Sequence, residues 1–495
     1  MLQTNAIFVI NPGYFMKNDF NKVILGAKDN VDNVNEAFQG FFSYIHPLNA
    51  QLFSFFNGKD TIEAILEKAS KYFLLPKDEL SRIIAKFIEN REEIIIDNGR
   101  LSTIFPRNIL VNVENVNSYD IYDPAKFQKY GEIDFSSTRL SSPITILLLL
   151  TMKCYTNCIY CYANRKLGNK SMTLELYKSI IHQAKEIGVI NIDINGGEVL
   201  LHPECIDILS ELINEGYHPF ISTKLPLEKK MITELKRINV KSIQLSLDSA
   251  NIGTLQTLLN VDHTYLSKID FMIRELGREG IDLNIHSILC AHNSSVGEVS
   301  KLISYLLQFP HVKSIKFSPA GFSLYRRNNS KFLPRLSELE DIQELIEQYN
   351  STLSDSDIKI SITPISTADE FQNATSFSNR SFCTGNTRGF VVLPDGRVTI
   401  CEELYEHPQF IIGDLTKQTI SEVWNSPEAR NLYNLQQKML KKESACHSCT
   451  GYEKCRRGKG VCWKEILMAY GEENWDYPDP RCPHAPMFKR NIYIR

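Results

Sequence analysis

Cys154, Cys158 and Cys161 fall within one short segment, KCYTNCIYC, directly after an apolar run that reads as a strand. Thiolates are soft ligands for iron and zinc. A loop carrying three of them can curl around one face of a cubane and hold three of its irons. The fourth iron would stay open, as catalytic metal sites do, and could chelate a substrate. Structural zinc sites usually pair two Cys-x2-Cys units, and no fourth ligand lies nearby. Seven more cysteines stand in the last quarter of the chain: Cys383, Cys401, Cys446, Cys449, Cys455, Cys462 and Cys482. That tail has few aliphatic residues for its length, so metal coordination would supply stability that its core lacks. Cys205 and Cys290 are isolated in apolar contexts and are expected to be buried, inert thiols.

Other polar groups close apolar runs. In NGGEVLLHP, Gly196 and Gly197 permit close backbone approach, and Glu198 or a carbonyl there can accept from an ammonium. Ser246 and Asp248 end the run QLSLDS; Ser222, Thr223 and Lys224 end another. With the cysteine loop, and with Tyr160 just before its third thiol, this set resembles the radical S-adenosylmethionine (SAM) superfamily. The C-terminal pattern, Cys383-x12-Gly396-x4-Cys401 and then Cys446-x2-Cys449-x5-Cys455-x6-Cys462 with Cys482, resembles the SPASM extension of its peptide-modifying members. There the last pair is usually Cys-x3-Cys, so this chain carries an insertion in RRGKGV. The resemblance covers residues 142 to about 490. It implies three 4Fe–4S clusters and SAM as cofactors. Cys154, Cys158 and Cys161 would hold the SAM-binding cluster. Tyr160, Gly196, Gly197, Glu198, Ser246 and Asp248 would line the SAM site, the last two at the ribose. The ends of NIHSIL and IKFSPAG are expected near the adenine. Lys224 departs from the Thr-Asn-Gly common in relatives. Ligation of the two auxiliary clusters would be crosswise: Cys383, Cys401 and Cys462 on the inner one, Cys446, Cys449, Cys455 and Cys482 on the outer. The inner cluster would then keep one iron without a protein thiolate.

The elements that must position these groups alternate. Between residues 142 and 365 the apolar runs ITILLLL, NIDIN, HPFIST, SIQLSLD, LNIHSIL and SIKFSP are separated by amphipathic helical patterns such as Leu174 to Ile187. Such alternation implies parallel βα units and an α/β fold. The periodicity fits a barrel or a doubly wound sheet equally; the resemblance implies a partial (β/α)6 radical SAM barrel. Residues 366–495 would form the Cys-rich SPASM domain, opening with a hairpin, GFVVLPDGRVTIC, that turns at Asp395 and Gly396. Residues 1–104 show three helical patterns and a hairpin signal at Asn98-Gly99, a winged-helix-like module. Residues 105–141 lack a clear period and read as a linker.

Charge and hydropathy narrow the function. The 55 basic and 58 acidic residues give a net charge of -3, without the basic excess of a nucleic-acid-binding surface. The third helical pattern, KDELSRIIAKFIENREE, is too acidic for a DNA recognition helix. The longest apolar run is far short of the ~20 residues of a spanning helix. The N-terminus lacks a secretory signal, so no membrane and a cytoplasmic location are expected. The segment IHPLNAQLFSFFNGKDTIEAI resembles the peptide-recognition element of maturases of ribosomally made, post-translationally modified peptides. It implies that a precursor's leader binds by strand addition to the N-terminal module. The expected function is a radical SAM peptide maturase that installs a crosslink, a Cys thioether to a peptide carbon. Flavodoxin or ferredoxin would donate the electron. Carbon–carbon or carbon–oxygen crosslinking, sulfatase maturation, and a non-catalytic iron–sulfur DNA-binding sensor are the alternatives.

Overall fold

The computed structural model describes residues 4–494 apart from 29–39, 98–101, 129–132, 134, 136, 164–170, 327, 328 and 354–357. The chain divides into two compact units, residues 1–144 with 187–191, and residues 145–186 with 192–495. No helix among the described residues is long and apolar enough to cross a membrane.

The first unit opens with β1 (Phe8–Ile10), β2 (Tyr14–Asp19), β3 (Lys22–Ala27) and β4 (Phe42–Ile45). Three helices follow: α1 (Pro47–Phe53), α2 (Ile62–Phe73) and α3 (Lys77–Ile84). Then come β5 (Ile94–Asp97), β6 (Ser102–Phe105) and β7 (Leu110–Asn112). Helix α2 starts where the Thr61 hydroxyl accepts from Ala64 N, and its apolar spacing turns Ile62, Ile65, Leu66 and Ala69 inward. Phe53, Phe87 and Phe105 close the core edge to face. β5 and β6 pair antiparallel as the hairpin signal requires; its Asn98-Gly99 turn lies outside the described residues. The expected linker at 105–141 is more than a linker. β7 pairs antiparallel with β1, and Ile109, Leu110 and Phe127 are buried in the same core. A three-residue strand is too short to display the alternation that would have announced it.

The second unit begins with β8 (Thr145–Thr151), α4 (Leu174–Glu186), β9 (Asn191–Gly196), α5 (Cys205–Asn214) and β10 (Ser222–Thr223). It continues through α6 (Lys229–Arg237), β11 (Ser242–Ser246), α7 (Ile252–Leu259), α8 (Tyr265–Arg278), β12 (Asp282–Leu289) and α9 (Val296–Leu306). Next are β13 (Val312–Pro319), α10 (Leu336–Thr352), β14 (Lys359–Ile362) and α11 (Ala374–Asn379). β10 to β14 form a parallel sheet in sequence order. β15 (Gly389–Val392), β16 (Arg397–Thr399) and β17 (Ile411–Asp414) form a second sheet with β8 and β9, in the order β17-β16-β15-β8-β9. The expected hairpin is present as β15 and β16, but β15 also runs parallel to β8, Gly389 opposite Thr145. A Cβ at Gly389 would lie 2.2 Å from Thr145 O, so only glycine allows this approach. The C-terminal segment adds α12 (Ile420–Trp424), α13 (Pro427–Tyr433), α14 (Tyr452–Arg457) and α15 (Trp463–Tyr470). It has a small core of its own, in which Ile466, Ala469 and Tyr470 pack with Phe371 and Val461.

Candidate active site

The cysteine loop leaves the C-terminal end of β8, where parallel βα units build their sites. It is pinned by the end of α7: Asn157 N and Ile159 N donate to Leu259 O and Leu258 O at 2.8 and 2.9 Å. These are carbonyls a helix leaves unpaired at its C-terminus. Arg326 Nη1 grips the loop from outside, donating to Cys158 O at 2.9 Å. Thr156 Oγ1 lies 3.1 Å from Cys158 Sγ and 3.7 Å from Cys154 Sγ. Burial pushes the Cys158 thiol up, so ligation there must expel a proton.

The glycines of NGGE serve the backbone. A Cβ on Gly196 would lie 2.2 Å from Thr151 O, and one on Gly197 2.2 Å from Lys153 O. Gly197 N and Glu198 N donate to those same carbonyls at 2.6 and 2.7 Å, tying the end of β9 to the root of the cysteine loop. The Glu198 carboxylate is buried and already engaged. It accepts from Thr223 Oγ1 at 2.9 Å and from the backbone N–H groups of Lys224 and Leu200. Its expected role as an acceptor for an ammonium is thus joined by a structural one, holding the end of β10.

Asp248 is the hub beyond β11. Its Oδ2 accepts from the Tyr160 hydroxyl and, at 2.9 Å, from Lys224 Nζ; its Oδ1 accepts from Ile288 N at 2.9 Å. Lys224 Nζ also reaches Ser246 O at 3.3 Å and lies 5.6 Å from the centre of the Tyr160 ring. Sequence reasoning left Lys224 without a role; here it is the cation that offsets a buried carboxylate beside the cysteine loop. Ser246 Oγ accepts from Gln244 Nε2 at 3.5 Å. At the end of β12, His286 Nε2 pairs with Ser318 Oγ at 2.9 Å, and burial and two lysines push its imidazole down to about 4.

All twelve cysteines are free thiols. The C-terminal seven separate by electrostatic proximity into two groups. Cys383 acts on both Cys401 and Cys462. Cys446, Cys449 and Cys455 act on Cys482. The insertion before Cys462 folds back: Cys383 N donates to Lys459 O at 3.0 Å, and a Cβ on Gly460 would lie 3.5 Å from Cys383 Cβ. The longer arm therefore returns to the three-thiol group. Cys205 and Cys290 are buried far from exchange with solvent, their thiols pushed up to about 12 by burial. His447 Nδ1 pairs with Leu440 O at 3.1 Å.

Sequence reasoning missed Glu402, although it directly follows Cys401. This half-buried carboxyl accepts from Asn195 Nδ2 at 2.8 Å and from the Tyr162 hydroxyl. Asn195 precedes Gly196 and Tyr162 follows Cys161, so Glu402 joins the three-thiol group to the ends of β8 and β9. Its neighbour Glu403 pairs with Lys464.

Residues 148–306 match the radical SAM superfamily, and residues 383–450 match an iron–sulfur cluster-binding domain, SPASM. The chain carries a radical SAM domain and a SPASM domain. This radical SAM enzyme therefore uses 4Fe–4S clusters and SAM. It is 22% identical over 356 residues to the PqqA peptide cyclase of Gluconobacter oxydans, covering 71% of this chain and 93% of that one. It is 21% identical over 299 residues to the PqqA peptide cyclase of Streptomyces rochei, covering 59% and 79%. The crystal structure of Streptococcus suis SuiB bound to S-adenosylmethionine shares its fold, with a TM-score of 0.62 at 15% identity over 96% of this chain and 100% of that one. SuiB bound to precursor peptide SuiA superposes with a TM-score of 0.61 over the same shares.

Proposed function

We propose that this radical SAM enzyme is a maturase of a ribosomally made precursor peptide. Its relatives include proteins named for a peptide cyclase, and SuiB was crystallised with a precursor peptide. The observation that carries the reading is the half-buried Glu402 carboxyl, which follows Cys401 and accepts from Asn195 and from Tyr162, the residue after Cys161.

In this reading Cys154, Cys158 and Cys161 hold the SAM-binding cluster, Cys383, Cys401 and Cys462 an inner auxiliary cluster, and Cys446, Cys449, Cys455 and Cys482 an outer one. Free thiols in three groups, with no disulfide among them, fit that donor set. When bound there, the cluster and SAM would supply, with an electron of the flavodoxin or ferredoxin type, the radical chemistry that removes a hydrogen atom from a peptide carbon. The chain's own residues do the rest. Gly196 and Gly197 seat the cysteine loop, Lys224 and Tyr160 hold Asp248 for a ribose, and Glu402 stands ready to take the proton released as a bond forms. The bond we favour is a Cys thioether. Cys205 and Cys290 are too deeply buried to complete the three-thiol group, which leaves room for a substrate thiolate.

Iron counting tests the reading. The reconstituted protein should hold about twelve irons. Replacing Cys154, Cys158 and Cys161 together by Ala should remove about four and abolish 5′-deoxyadenosine formation. A triple variant that still cleaves SAM would overturn the assignment.

A further inference from the structure

The two C-terminal thiol groups differ in their electrostatic surroundings, although Asp479 acts on both Cys455 and Cys462. The four-thiol group faces guanidinium groups. Arg380 Nη2 donates to Cys455 Sγ at 3.6 Å and Arg456 Nη2 to Cys446 Sγ at 3.8 Å. Arg380 is fixed from behind, its Nε and Nη2 donating to Gly460 O at 3.0 and 2.8 Å and its guanidinium 3.8 Å from the Phe377 ring centre. Arg456 lies 4.8 Å from the Trp463 ring centre, and its Nε and Nη1 are buried with no partner among the described residues. A buried guanidinium with two unpaired N–H donors is costly unless an acceptor stands before it. Arg456 and Cys383 line one cavity of about 50 Å³, so this side chain reaches from the four-thiol group to the edge of the three-thiol group.

The three-thiol group faces carboxylates. Cys462 N donates to Asp479 Oδ2 at 2.9 Å, and Glu402, Glu403 and Glu465 lie within electrostatic reach of Cys401 or Cys462. Arg481 pairs with Glu465 and Asp479, and Lys464 with Glu403, so these anions are partly offset. Arg481 and Lys464 also act on Cys462, but they pair directly with carboxylates, whereas Arg380 and Arg456 donate to sulfur.

Reduction adds negative charge to a cluster, so nearby cations and N–H donors to its sulfurs raise its potential, and nearby anions lower it. We propose that Arg380 and Arg456 set the outer auxiliary cluster at a higher potential than the inner one, making it the place where the surplus electron of crosslinking comes to rest. The transfer oxidises the inner cluster by one electron and reduces the outer by one, with no proton moved. A one-electron carrier protein of the flavodoxin or ferredoxin class then reoxidises the outer cluster. The proposal rests on the reading that the four-thiol group holds a cluster.

The test is a redox titration followed by electron paramagnetic resonance. It uses the reconstituted full chain with Cys154, Cys158 and Cys161 replaced by Ala, so that only auxiliary clusters respond. About eight irons should remain; fewer would overturn the cluster reading itself. With those irons present, two waves are expected. Arg456→Met and Arg380→Met should each move the higher wave down and leave the lower one in place. Arg456→Lys, which keeps the charge, should restore most of the shift. Unmoved waves in both Met variants, or movement of the lower wave alone, would overturn the proposal. If every variant, including Arg456→Lys, lost the outer irons, the arginines would be holding the cluster rather than tuning it, and the proposal would again fail.

Discussion

Glu402 shows what a single side chain contributes. It lies between Asn195, Tyr162 and the Cys401 loop, and in the proposed reaction it takes the proton released as the bond forms. Glu402→Gln keeps the shape and one acceptor but cannot take a proton. Crosslinked product should fall by about 10²- to 10⁴-fold. Unproductive 5′-deoxyadenosine formation should persist, and mass spectrometry with nucleoside quantification reads both. His286 makes a different prediction, about pH. Its imidazole titrates near 4 in the folded chain, against about 6.5 unfolded. Between those values the unfolded chain holds the extra proton, so His286 favours the fold above pH 6.5 and that contribution is lost as pH falls toward 4. His286→Gln should remove roughly 1–3 kcal/mol of the acid loss, seen as denaturant midpoints of variant and wild type converging between pH 7 and 4. The cysteines and Asp248 stood out as candidates because motif spacing is local. Glu402 and Arg326 were not, because their partners lie far along the chain and only folding reveals them.

At the scale of elements, strand ends do the positioning. The β8 loop and the β9 glycines are tied by backbone bonds that leave no space for a side chain, and the Glu198 carboxylate ties the end of β10 to them. Gly197→Ala would press a methyl against Lys153 O, a backbone atom that cannot swing away. The variant should lose about 1–3 kcal/mol of stability, or displace the cysteine loop. SAM affinity by equilibrium dialysis should fall with it; retained affinity and retained iron would sink this view of the glycines. The run at β8 was readable because it is continuously apolar, and those at β11 and β12 because apolar residues alternate with polar ones. The run HPFIST yields only the two residues of β10. Pro219 within it lacks an N–H and discourages a longer ladder. That β15 would leave its hairpin partner on one side and extend the β8 sheet on the other was not readable. Pairing between strands distant in sequence leaves no periodic mark in either of them.

For the whole molecule, the proposed function divides chemistry and recognition between the two units. Every residue assigned here to SAM or a cluster lies in the second, whereas the first has no cysteine and a formal hairpin edge at β5. Ile95 and Ile96 on that strand are 62% and 40% exposed, an unusual display for β-branched residues with nothing polar between them. A strand with an apolar, exposed edge is suited to accept an extended peptide through backbone hydrogen bonds, with its side chains giving specificity. Ile95→Glu with Ile96→Glu should therefore weaken precursor binding by about 10-fold or more, since each buried Ile contributes on the order of 1.5–3 kcal/mol. The KM for the peptide should rise accordingly. SAM cleavage without peptide should be unchanged, because no residue of that site is touched. Fluorescence anisotropy with a labelled leader separates binding from turnover. If affinity for the leader stayed at the wild-type value while turnover fell, the first unit would act on catalysis rather than on recognition. Tight binding of duplex DNA with a steep salt dependence would instead favour a sensor built on the same winged-helix-like module, since that slope counts phosphate contacts.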